Sequence, residues 1–257
     1  MYIYIYIYIY IMTIKPYILN NLKTLLKDSH KSSPILMAVL SSGLAAIGLA
    51  TNSGTTILGS MLLSPISSLI VSNNIIDIFK FKNIKFKKKY DKNIFNVLLV
   101  IICLSLITST ALGYIFVKIE NYYDKTKLFN WPTQEMKDRA NPINSIYIIF
   151  IALICGLALP FSLIMNNGSK LIAIGIATAL TPPLANIGLG ISLKLYKFFN
   201  KNKLNNNNIN DFISNSIMVG GIIFLINMLL LYLPTKLLLK IFATDNNIFK
   251  KIEQFFI

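Results

Sequence analysis

The 257-residue chain carries few groups with which to do chemistry: ten acidic residues, one histidine, His30, and two cysteines, Cys103 and Cys155. Both cysteines lie inside apolar runs, so they read as small packing residues and not as a structural disulfide. A histidine with no carboxylate or thiol at ligand spacing gives no metal site. No Ser/His/Asp, Cys/His or paired-carboxylate set exists, so neither an enzyme nor a cofactor is expected. Charge of either sign is scarce, with 14% charged residues against 54% hydrophobic ones. That excess excludes an ordinary soluble domain and points to an integral membrane protein.

The net charge of +15 does not point to nucleic acid. The lysines stand in short blocks between apolar runs, as they do at membrane flanks. The densest block, Lys80, Lys82, Lys85, Lys87, Lys88, Lys89 and Lys92, reads either as a topology determinant or as a surface for anionic headgroups. The opening MYIYIYIYIYIM is too short to span a bilayer and has no charged flank of a signal peptide. Alternating Tyr and Ile is what a TA dinucleotide repeat encodes, so residues 2–11 are expected to be dispensable, and the start stays open between Met1 and Met12.

Six runs are long enough to be read as spans: Ile35 to Thr51, Thr55 to Ser72, Ile94 to Val117, Ser145 to Met165, Lys170 to Leu193 and Ser214 to Pro234. If all six cross, one face carries 16 Lys and Arg and the other 9. If the second and fifth only dip into the membrane, the asymmetry vanishes. The positive-inside rule therefore predicts six crossings with both termini cytosolic. Residues 1–34 and 236–257 are expected to be tails with amphipathic helices in the headgroup region. Residues 118–144, with Trp131 and several acids, form the largest extramembrane loop.

The order of features repeats. GLAAIGLATNSG (43–54) is answered by GLALPFSLIMNNG (156–168), and LLSPISSLI (62–70) by ALTPPLANI (179–187). Residues 35–117 and 145–235 thus read as two halves of three spans each. An odd number of crossings inverts the second half, so the expected fold is all-α and polytopic, with six transmembrane helices in two inverted repeats.

Each half places a hydroxyl residue before proline within a span: Ser64 before Pro65, and Thr181 before Pro182 and Pro183. Proline lacks an N–H and displaces the carbonyl four residues back, which would free the carbonyls of Met61, Thr178 and Ala179. Broken helices at matching positions of inverted halves point to a transport site, and packing kinks are the plainer alternative. The candidate binding residues are Ser64, Pro65, Thr178, Thr181, Pro182, Pro183, Asn186, Asn227, Asn52 and Asn166. For Asn227, interhelical glue is the favoured role. No acid lies in any of the six runs, so an anion or neutral solute is favoured over a multivalent cation. Gly43, Gly48, Gly156, Gly175, Gly188 and Gly190 read as close-packing positions.

The stretches LGSMLLSPISSLI (58–70) and GIATALTPPLANIGLGISL (175–193), with Glu135, Arg139 and Pro142 of EMKDRANP and the later FLINMLLL (224–231), resemble the multipass membrane family called domain of unknown function 389. The resemblance runs over residues 35–235. It implies a membrane fold and supplies no substrate. The expected function is a transporter or channel for a small solute or ion. The alternative is a non-transporting membrane scaffold or lipid-interacting protein. The expected partners are the lipid bilayer and that solute; nucleic acid is not expected, and a homo-oligomer stays open.

Overall fold

The structure, a computed structural model, describes residues 33–80, 93–122, 131–164, 169–199 and 207–243. They form helices α1 (Ser33–Ala50), α2 (Gly54–Leu63), α3 (Ile66–Lys80), α4 (Asn93–Tyr122), α5 (Gln134–Ala140), α6 (Pro142–Ile164), α7 (Ser169–Phe199) and α8 (Asn207–Ala243). A helix covers each apolar run read from the sequence, and α2 and α3 share the second. The Tyr-Ile repeat, His30, most of the lysine block, Asn166 and the last 14 residues, 244–257, lie outside the described residues.

Four stretches are long and apolar enough to cross a membrane: Gly54–Asn74, Phe95–Ile119, Pro142–Leu159 and Ile209–Leu238. Pro34–Ala50 is apolar and shorter. Large apolar side chains point outward from these helices, among them Leu36, Ile107, Phe150, Ile154, Leu225 and Leu229. A surface of this kind suits hydrocarbon and would be a liability in water.

Helix α7 is the centre of the bundle, packed against each of the other seven described helices. From Leu180 to Gly190 every residue is buried, so this stretch has no outward face. Small residues bring the neighbours close. A Cβ on Gly188 would overlap the Ser109 hydroxyl of α4, and one on Gly190 the Ser216 hydroxyl of α8. The reciprocal pair is Gly113 of α4 against Ser192 of α7. Small residues facing small residues let backbones approach and gain dispersion where no hydrophobic drive exists between helices.

The α1–α2 hairpin closes through a Schellman turn. Asn52 takes the left-handed conformation with φ 56°, the Ser53 N–H donates to the Gly48 carbonyl at 2.8 Å, and the Asn52 N–H donates to that of Leu49 at 3.3 Å. Ser53 then caps α2. Residues 236–243, expected as the start of a separate tail, continue α8 through Pro234. Packing holds both sides of that proline, with Leu231 and Thr235 fully buried and the Thr235 hydroxyl donating to the Gly156 carbonyl of α6 at 3.0 Å.

Candidate functional site

The second apolar run is broken where its proline predicts. Helix α2 stops at Leu63, Ser64 is extended with φ −69° and ψ 123°, and α3 starts at Ile66. The residue before proline is pushed out of the helical region, which accounts for Ser64. One expected detail is different: the Met61 carbonyl is not left open, because the Ser64 N–H turns back to it at 3.3 Å. Pro65 in turn gives its own carbonyl to the Leu69 N–H at 3.1 Å and to the Ser68 hydroxyl at 2.8 Å.

The fifth run corrects the expectation of a matching break. Helix α7 is continuous from Ser169 to Phe199 with Pro182 and Pro183 inside it. Proline's fixed φ is itself helical, and its cost is a lost hydrogen bond and a crowded carbonyl. Here Pro182 and Pro183 are both buried in the helix that packs against the other seven described helices, and the helix runs on through them. Two helices therefore meet at this point, one broken and one whole.

Ser64 and Thr181 are joined. The Thr181 hydroxyl donates to the Ser64 hydroxyl at 2.8 Å. Thr181 is 2% exposed and Ser64 half-buried. The junction also lies beside the first turn of α3, whose N–H groups have no partner within their own helix. The other candidates are distributed elsewhere. Asn186 is fully buried and donates to the Met136 carbonyl at 3.0 Å, while its own Oδ1 meets no partner among the described residues. Asn52 sits at the far end of α2, roughly 15 Å along the helix from Ser64, and accepts from the Glu135 N–H at 3.0 Å. Asn227 is fully buried on α8. Thr178 is in α7, with its side chain outside the described residues, and Asn166 is outside them altogether.

Helix α5 closes the end of the bundle above these groups. Thr133 caps it, accepting from the Met136 N–H, and donates its own hydroxyl to the Leu49 carbonyl of α1 at 2.6 Å. Met136 is fully buried in the core with Leu49, Ile57 and Ala185. Arg139 pairs with Glu135 one turn back at 3.4 Å. Burial lowers the Arg139 pKa below its ordinary value, and the Glu135 carboxylate opposes the shift. Asn141 and Pro142 then start α6, the Asn141 Oδ1 accepting from the Ile143 N–H at 3.0 Å.

Sequence reasoning missed a second polar cluster. Helix α3 runs past the apolar stretch and carries Asp77, which accepts from the Tyr232 hydroxyl at 2.5 Å and from Lys236 at 3.0 Å on α8. Asn74, one turn earlier, donates to the Tyr232 carbonyl at 3.2 Å. The signal was present as Asn73, Asn74 and Asp77 beyond the apolar run, at helical spacing from Ile70 within it.

A bundle of apolar helices around a polar hydroxyl junction places the chain in the class of helical membrane proteins. It belongs to the family Domain of unknown function (DUF389), whose model matches residues 61–233. That match includes both members of the Ser64–Thr181 pair. Neither a search of curated proteins nor one of solved structures returns a match.

Proposed function

We propose that the protein is a multipass transporter or channel for a small solute or ion, with its site at the junction of the α2–α3 break and α7. The observation that carries the reading is the Ser64–Thr181 hydrogen bond. These are the two residues that the sequence repeat makes equivalent. Under a two-fold relation a residue meets its own counterpart only at the axis, which is where inverted-repeat transporters hold their solute. Other pairings support the same relation. Helix α1 packs on α4 as α6 packs on α8, and α3 packs on α4 as α7 packs on α8. Gly43 faces Leu112 of α4, and its counterpart Gly156 faces Leu230 of α8.

In this reading α1 to α4 and α6 to α8 are the two inverted halves, six crossings in all, with both termini cytosolic. The hydroxyls satisfy each other in the closed arrangement, and a solute enters by replacing one of them. The first turn of α3 offers N–H groups and the positive end of a dipole, so an anion or a neutral solute suits the site better than a multivalent cation. The continuous course of α7, fully buried from Leu180 to Gly190, favours a second reading, in which the two hydroxyls only glue helices. Flux in liposomes separates the two. A Ser64→Ala, Thr181→Val double variant is expected to lose most of the flux of any solute the parent moves, at unchanged folded yield. Equal flux would leave the glue reading standing.

A further inference from the structure

The second cluster stands at the head of a groove. Ile70, Asn73 and Asp77 of α3, Phe95 and Leu98 of α4, and Leu225, Met228, Leu229 and Tyr232 of α8 line about 580 Å³, a volume within the range of small-molecule pockets. Asp77 is roughly 17 Å along α3 from the Ser64 break, so this is a separate place from the junction.

Three observations define what would fit. The groove is graded: along α3 it passes from Ile70 to Asn73 to Asp77, and along α8 from Leu225 to Tyr232, apolar at one end and polar at the other. It opens sideways through Phe95, Leu225 and Leu229, which are 51%, 60% and 55% exposed, on the surface that suits hydrocarbon. Its polar end lies where the apolar stretches run out, after Asn74 on α3, before Phe95 on α4 and near Leu238 on α8. That level is headgroup depth. The occupant is therefore an amphiphile lying along the helices with its chain inward.

The headgroup follows from charge. Asp77 lines the groove and presents a carboxylate already held by Tyr232 and Lys236, which an ammonium would join. Lys236 stands behind it at 3.0 Å and is 33% exposed. A negative group in the groove with a positive one beside it complements a zwitterion whose cation can donate. An ammonium can donate to the carboxylate and a phosphate oxygen can accept a hydrogen bond from Lys236. A quaternary ammonium has no N–H to give, and an anionic glycerol headgroup has no cation for Asp77. We infer that the groove between α3, α4 and α8 is a binding site for an aminophospholipid of the phosphatidylethanolamine type, its ammonium on Asp77 and its acyl chain along Leu225 and Leu229.

Native mass spectrometry of the full chain tests this, using nanodiscs with equal parts of phosphatidylethanolamine, phosphatidylcholine and phosphatidylglycerol. The parent is expected to retain one lipid, with phosphatidylethanolamine favoured by at least about fivefold over each of the others, a difference of about 1 kcal/mol. Leu229→Trp, which fills the groove from an exposed position, should reduce retention about fivefold or more. Leu157→Trp, exposed on α6 away from the groove, should leave it unchanged. Asp77→Asn should erase the headgroup preference; where that variant does not fold, the parent's selectivity and Leu229→Trp decide. Equal retention of the three headgroups, preference for phosphatidylglycerol, or full retention by Leu229→Trp would overturn the assignment.

Discussion

The Thr181 hydroxyl donates to the Ser64 hydroxyl at 2.8 Å across a sequence separation of 117 residues. One group stands at a break in its helix, the other inside a helix that ignores its prolines. Because the Thr181 hydroxyl has Ser64 as its acceptor, removing one leaves its partner unmatched, Thr181 buried and Ser64 half-buried, and removing both does not. Ser64→Ala and Thr181→Val are each expected to cost about 1–3 kcal/mol. The double variant should cost less than the sum, with a coupling of at least about 0.5 kcal/mol. Thermal unfolding in detergent, compared across the four proteins, measures it; additive costs would show that the bond contributes nothing.

The glycines that face hydroxyls should be intolerant of a methyl group. Gly188→Ala and Gly190→Ala push α7 away from Ser109 and Ser216, and overpacking of this kind costs about 1–3 kcal/mol. Gly221 has open space around it, so Gly221→Ala should stay within about 0.5 kcal/mol. Equal stability of all three would contradict the packing described around α7.

Helix α5 should loosen when its cap is removed. Thr133→Ala deletes both the cap and the bond to Leu49, for an expected cost of about 1–2 kcal/mol. Amide exchange in residues 131–140 should rise while α7 stays protected. Thr133→Ser keeps the hydroxyl and should restore protection.

Topology can be read with two exposed positions. Gln134 of α5 and Lys240 of α8 are expected on opposite faces of the membrane. With the free thiols Cys103 and Cys155 replaced by alanine, single cysteines at 134 and 240 should label from opposite sides. Labelling of both by one impermeant reagent added outside would overturn the six-crossing arrangement.

Much of this arrangement was legible in the sequence, for physical reasons that differ by residue. The Ser64 break followed from one local rule, since no neighbour overrides the proline's effect on the residue before it. The same rule failed at Pro182 and Pro183, which lie in the fully buried stretch of a continuous helix, where packing can outweigh a local loss. Asn52 and Asn186 were visible as polar groups among apolar ones. Their use in holding α5 depends on contacts 83 and 50 residues away, which no spacing reveals. Asp77 went unread because the apolar run ended five residues before it, although the helix did not.

The position of α7 also has a consequence for how the chain is made. Synthesis delivers α1 through α6 before α7, and α8 last. The surfaces of α1, α2 and α4 that will enclose Leu180 to Gly190 therefore emerge before anything exists to cover them. Domains acquire their packing as the chain lengthens from its N-terminus, yet here the centre arrives next to last. The faces of the early helices that α7 will cover therefore stay without that partner until some two-thirds of the chain has been made.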